Sequence, residues 1–320
     1  MPWQWGGRRA DAGAGPSYAG DFPDPSLLVD GSATYAFATG SAGSNLQRIS
    51  TGRLTDAGPA AWSAPTDPLP ALPHWAAPGH TWSPSVALLG GRAVLWYTVR
   101  DRASGRQGLS RATARSPSGT FTDTSAAAAV CQLDEGGSID PDVFVDADGT
   151  PYLLWKSDAN ALGRASALYA QRLTADGLGL VGSPVRLLGH DRRWEEPLIE
   201  GPAMVHTADG YHLFYGAGWW ESATASIGHA TCAGPLGACT KPAAPAPWLT
   251  GHGPATGPAG PAVARADDGT LLFAYHAWTN GIVGYAAGGV RALFVARLEL
   301  VDGRPALRPL RGGAPTAGSR

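Results

Sequence analysis

Charge is scarce in this chain. Asp, Glu, Lys and Arg make up 16% of it, acids and bases nearly cancel at a formal −2, and Lys and Arg nowhere cluster. That balance offers no footprint to nucleic acid or to an anionic membrane surface, so neither is expected as a partner. No apolar run is long enough to cross a bilayer. No segment keeps a helical period between capping residues, so little helix is expected. Cysteine is sparse as well, and Cys131, Cys232 and Cys239 lack zinc-ligand spacing. Cys232 and Cys239 flank the turn AGPLGA, compatible with a small hairpin disulfide or with two free thiols. The opening MPWQWGGRRADAGAG lacks the apolar centre of a signal peptide; a leader upstream of it is left open.

What the chain has in quantity is Gly (44), Pro (27) and Trp (12), the composition of a turn-rich all-β protein with many aromatic surfaces. Its organising stretch is IDPDVFVDADGTPYLLW from Ile139 to Trp155, which reads as strand, Asp-Gly turn, strand. Four other stretches copy it, aligned on Pro25, Pro84, Pro202 and Pro261, with Pro141 in the template itself; the successive intervals are 59, 57, 61 and 59 residues. A period that regular marks a repeat architecture. Runs such as VLWYTV and YLLWK are short, β-branched or aromatic, and bounded by turn signals, which favours buried strands. The proline-rich connection through Pro65, Pro68, Pro70, Pro73 and Pro78 is excluded from central strands, because proline has no amide donor.

Units of about 59 residues, each of three or four antiparallel strands, close most naturally as a five-bladed β-propeller. The expected organisation is an N-terminal tail or strap over residues 1–20, one propeller over 21–312, and a C-terminal tail over 313–320. A monomer is expected. In such a ring, equivalent points of the repeat converge at one end of the central channel. The position before each repeat proline holds Asp24, Ser83, Asp140, Gly201 and Gly260, and Glu200 precedes Gly201. An Asp before Pro is commonly just a turn starter. Coincidence in repeat phase is what sets these apart, and Glu200, at an apolar strand start without a turn role, invites a pKa raised by desolvation. Paired carboxyls facing a cavity, one ionised and one protonated, are what glycosidic cleavage needs.

From FPDPSLL through TWSPSVALL, SIDPDVFVDADGTPYLLWKSD and IEGPAMV to FAYHAW and LFVARLELVDGRPAL, the chain resembles glycoside hydrolase family 43, five-bladed propeller enzymes acting on arabinose- and xylose-containing polysaccharides. The resemblance implies Asp24 as general base, Asp140 as the orienting and pKa-setting residue, and Glu200 as general acid in single-step inverting hydrolysis. Glu195 and Glu196 rank lower as acids because they fall outside the repeat phase. Trp82, Trp75 and Trp220, with Trp219, are expected to wall the sugar site, and Arg291 to contact the terminal sugar. At Ser83 the chain departs from the family's commoner Ala. His276 matches a channel histidine, with a structural Ca2+ or other ion held through water as the implied possibility; the chemistry needs no cofactor. The implied partner is a pentose-containing oligosaccharide or polysaccharide. Asp142, Asp146 and Asp148 are expected at turns and on blade surfaces. Two competing readings are a retaining fructan-hydrolase-like enzyme, whose Asn-Asp-Pro-Asn and Arg-Asp-Pro phrases are here FPDPS and SIDPD, and a carbohydrate-binding propeller without catalysis.

Overall fold

Each copy of the repeat folds into one antiparallel sheet. The computed structural model describes residues 15–310 apart from 42, 56, 57 and 60. Blade 1 is β1 (Ser26–Asp30), β2 (Ala33–Thr39) and β3 (Leu46–Gly52); blade 2 is β4 (Ala76–Leu89), β5 (Arg92–Asp101) and β6 (Gln107–Ala114). Blade 3 comprises β7 (Ser138–Val145), β8 (Pro151–Ser157), β9 (Ala167–Leu173) and β10 (Leu180–Gly189). Blade 4 comprises β11 (Ile199–Thr207), β12 (Gly210–Ala217), β13 (Ser226–Cys232) and β14 (Cys239–Thr240), the last two tied by a Cys232–Cys239 disulfide. Blade 5 is β15 (Thr256–Arg265), β16 (Leu271–Trp278), β17 (Arg291–Val301) and β18 (Arg304–Pro309).

The innermost strands neighbour one another in the order β1, β4, β7, β11, β15 and back to β1, which closes a five-bladed β-propeller. Its hydrophobic core is divided among the clefts between blades. Leu27, Ile49, Leu272 and Val295 pack blade 1 on blade 5; Phe37, Val86, Leu95 and Tyr97 pack blade 1 on blade 2. Trp96 and Trp155 fill the next interface, Leu154 and Tyr215 the one after, and Phe214 and Phe273 the last. Middle strands are therefore buried on both faces: all eight residues of β16, LLFAYHAW, are buried. This is why those segments read as continuous apolar runs and not as alternations.

The repeat proline has a defined task. Without an amide hydrogen it breaks the ladder, and the residue before it turns left-handed: φ is 52° at Asp24, 46° at Ser83, 57° at Asp140, 54° at Gly201 and 59° at Gly260. The register of β4, β7, β11 and β15 slips there, between Trp82 and Ser85, Ile139 and Asp142, Glu200 and Ala203, and Ala259 and Ala262. Four of the five innermost strands thus carry a bulge at the same height, while β1 begins just past it, and a bulge re-aims the side chain on it. Left-handed backbone costs Asp24, Ser83 and Asp140 about 1–3 kcal/mol each, a strain of the kind that persists at functional sites.

One sequence expectation is corrected: Pro78 lies inside β4, where the register slips between Ala77 and Thr81, so a bulge accommodates it within a strand. Residues 17–22 lie along β17. Ser17 and Tyr18 donate their N–H groups to the Leu293 carbonyl at 2.8 and 3.2 Å, and Phe22 donates to that of Arg291 at 2.8 Å. The remainder of the proposed N-terminal strap, residues 1–14, and the C-terminal tail, 313–320, lie outside the described residues.

Candidate active site

The bulges open onto a cleft of about 790 Å³ at one end of the channel, lined by Asp24, Asp140, Glu200, Lys156, Arg291 and Trp220 among others. A ring of hydrogen bonds fixes its floor. The Asp24 N–H donates to His276 Nδ1 (2.9 Å), that of Ser83 to Thr39 Oγ1 (3.0 Å), that of Asp140 to Thr98 Oγ1 (3.0 Å) and that of Gly201 to Asp140 Oδ2 (3.1 Å). Each of these four pre-proline residues is held by the blade before it. Gly260 completes the ring by lacking a side chain, because a Cβ there would sit 2.8 Å from His276 Nδ1 and 3.2 Å from Asp24 Cα.

Asp24 is built to be ionised. Burial pushes its pKa up, but the Arg291 guanidinium, the His276 ring and the Thr39 hydroxyl together outweigh burial and bring it below the usual range. Arg291 Nη1 is 3.7 Å from Asp24 Oδ1, and Thr39 Oγ1 donates to Oδ2 at 2.6 Å. Burial, reinforced by Arg291, depresses His276 to about 3, so the ring is neutral at pH 7 and Arg291 is the charge that matters.

Glu200 and Asp140 behave as a coupled pair. Burial raises Glu200, Lys156 opposes, and Asp24 adds to the rise. Burial and the Glu200 charge push Asp140 up to about 7, again against Lys156. The pair therefore keeps a proton into the neutral range. The hydrogen bonds of the two differ: Asp140 accepts from Ser83 Oγ (2.8 Å) as well as from Gly201 N, whereas among the described residues Glu200 meets only Lys156 Nζ at 3.4 Å. Donors on both Asp140 oxygens favour its charged form. Ser83 supplies one of those donors.

Aromatic side chains form the wall beside Asp24. The Arg291 guanidinium lies 4.6 Å from the Trp220 ring and 5.3 Å from that of Tyr285, whose hydroxyl accepts from Arg291 Nε at 2.9 Å. Asp21 accepts from Arg291 N and Tyr285 OH. Trp82 is half-buried in the cleft, and Trp219 is 47% exposed on its rim. Trp75 is different. It is buried in blade 2, its indole N–H donates to Ser125, and it is absent from the cleft, so its loop position misled: the ring is core. Glu195 is fully buried against Lys241 and Tyr215, and Glu196 is exposed beside His190; neither lines the cleft.

Lys156 was missed and Asp142 misread. Lys156 is 1% exposed and unforeseen, although it follows its repeat proline by 15 residues, as His276 does, while Thr39, Thr98 and Gly216 follow theirs by 14. Asp142, expected at a turn or blade surface, lies in the channel, lining both this cleft and the opposite mouth. Ser85 Oγ and Met204 N approach its carboxyl at 3.4 Å each, and burial pushes it up to about 7. Asp146 is held by His206 and Tyr211, and Asp148 caps its own turn.

His276 bears on the implied channel ion. Its Nδ1 accepts from Asp24 N–H, so the neutral ring carries its proton on Nε2, which is buried without a partner among the described residues. A protonated nitrogen cannot ligate a cation but can donate to a water on one. No cluster of three or more His, Cys, Asp or Glu able to hold a metal occurs among the described residues.

The site can therefore hold a carboxylate ionised on one side of a cleft and a carboxyl protonated on the other. No curated protein matches the chain. Among solved structures, a thermostable family-43 glycoside hydrolase superposes with a TM-score of 0.78 at 25% identity, over 94% of this chain and 97% of that one. An endo-1,4-beta-xylanase from Bacteroides thetaiotaomicron VPI-5482 gives 0.76 at 21%, covering 94% and 99%, and an alpha-L-arabinofuranosidase from Lactobacillus brevis gives 0.72 at 19%, covering 97% and 99%. The sequence model of glycosyl hydrolases family 43 matches residues 14–305. On that match the chain belongs to glycosyl hydrolases family 43 and is a glycoside hydrolase.

Proposed function

We propose that this protein hydrolyses L-arabinofuranosyl or D-xylosyl linkages at the ends of hemicellulose or arabinan chains, or in short oligosaccharides, with inversion at the anomeric carbon. The observation that carries the reading is the opposite charge bias of two carboxyls in one cleft. Arg291 and Thr39 favour the ionised form of Asp24, while burial favours the protonated form of Glu200. Ionised Asp24 takes a proton from water as the water attacks the anomeric carbon. Glu200 delivers its proton to the leaving oxygen as the glycosidic bond breaks. Asp140, clamped by Ser83 and Gly201, orients the sugar and stays charged beside the acid. The Trp82 and Trp220 faces stack on sugar rings, and Arg291 serves both the base and the terminal sugar. No step requires a cofactor; a hydrated ion donated to by His276 Nε2 would be structural.

Turnover of nitrophenyl arabinofuranoside, nitrophenyl xyloside, linear arabinan and xylan tests substrate class. A proton NMR time course tests stereochemistry: the first-formed anomer should be inverted, and initial retention refutes the mechanism. Asp24→Ala should abolish activity even with good leaving groups. Glu200→Ala should spare those substrates in part, since they need little protonation. A protein inert toward every pentoside and pentose oligomer would be a binding propeller.

A further inference from the structure

Four of the five blades place a neutral residue at the second-strand position that follows the repeat proline: Thr39, Thr98, Gly216 and His276. Thr39, Thr98 and His276 accept the pre-proline N–H of the next blade. Blade 3 breaks the pattern. Its residue, Lys156 in β8, paired with Ile139, has donors only and cannot serve as acceptor. The next blade's N–H, from Gly201, goes to Asp140 instead. Lys156 is thus free of the ring's structural task, and a buried ammonium is costly to keep without another.

Its surroundings say what that task is. The ammonium is all but closed to solvent and lies between Glu200 Oε2 at 3.4 Å and Asp158 Oδ1 at 3.9 Å. The charged groups bearing on Glu200 are Asp140 from β7, Lys156 from β8, Asp24 ahead of β1 and Arg291 from β17. Asp158 reaches it through Lys156, and His276 is neutral. We infer that Lys156 is a positioning residue that sets the alkaline limit of activity by drawing Glu200 toward its ionised form, and that Asp158 attenuates this pull by sharing the ammonium. The inference rests on Glu200 being the general acid. Without Lys156 the acid would hold its proton too tightly and donate it poorly; without Asp158 it would lose it too early.

The sign follows directly. Removing a nearby cation raises the pKa of the acid, so its protonated form persists to higher pH. The test is the pH dependence of kcat/KM on a pentose disaccharide, whose leaving group needs the proton. Lys156→Met should move the alkaline limb up by about 1–3 pH units, and Asp158→Asn should move it down by a smaller step. Lys156→Arg should stay near wild type, and KM should change little in all three. Opposite shifts from two neighbouring substitutions are not produced by a general loosening of the fold. An alkaline limb unmoved or lowered in Lys156→Met, or unmoved or raised in Asp158→Asn, overturns the inference. Should Lys156→Met not fold, Asp158→Asn decides alone. Glu200→Gln separates the two levels: disaccharide turnover at wild-type rates refutes Glu200 as the acid, whereas an inactive Glu200→Gln together with unmoved limbs in Lys156→Met and Asp158→Asn refutes only the role of Lys156.

Discussion

Gly260→Ala should damage stability and catalysis together, and by more than the same change at Gly201. Both glycines are left-handed, at φ 59° and 54°, so each alanine incurs the conformational penalty of about 1–2 kcal/mol. Only at Gly260 is there also a collision. The new methyl would lie 2.8 Å from His276 Nδ1, 3.0 Å from its Cε1 and 3.2 Å from Asp24 Cα, against nothing nearer than 3.7 Å at Gly201. His276 is buried and bonded to Asp24 and cannot swing aside, so the overlap is an overpacking of about 1–3 kcal/mol. Gly260→Ala should then lose about 2–5 kcal/mol and Gly201→Ala about 1–2, both within the reserve of an ordinary domain. The relief available to the collision is displacement of Asp24. A shift of order 1 Å at a catalytic group costs about 10²-fold in rate. Urea unfolding of both variants, compared at constant m, and kcat/KM on nitrophenyl arabinofuranoside or xyloside measure the two effects. Equal stabilities, or a Gly260→Ala enzyme at wild-type activity, would refute the argument.

Arg291→Met should raise the pKa of Asp24 and move the acidic limb of kcat/KM upward by about 1 pH unit or more, since the base then ionises later; an unmoved acidic limb would contradict the pairing. Burial pushes Asp142 from the ordinary 3.8 up to about 7, so ionising it penalises the fold progressively as pH rises from about 4 to 7, and fully above that. Asp142→Asn should accordingly stabilise the protein at pH 9 by roughly 2–4 kcal/mol and do little at pH 4, by urea unfolding at each pH. Trp75→Ala should cost about 3–5 kcal/mol of stability and leave KM unchanged. Trp220→Ala should raise KM about tenfold by removing a stacking face. Equal KM effects would mean that Trp75 reaches the substrate after all.

The ring, its phase and the convergence of Asp24, Asp140 and Glu200 were legible because one proline-centred phrase recurs at nearly constant spacing, and spacing survives where identity does not. Lys156 was not legible by the same reading, which attended to the innermost strand; its information sits on the second strand, across a ladder the sequence does not display. Asp142 resembles a turn residue because it follows Asp-Pro, and the bulge there turns its carboxyl into the channel instead. Trp75 looked like a wall because it sits in the loop PHWAAPGH, but a loop residue can pack inward when its indole finds an acceptor, here Ser125.

The seam of the ring runs through the site. Residues 17–22 hold β17 at the point where it begins, and there Arg291 gives its carbonyl to Phe22 and its N–H to Asp21. The bonds that join the first blade to the last are thus the bonds that aim the guanidinium at Asp24. A propeller whose seam loosens would still keep most of its inter-blade packing, yet Asp24 would lose its counter-charge. Activity should therefore report the state of the seam earlier, and at milder denaturant, than any probe of the sheets.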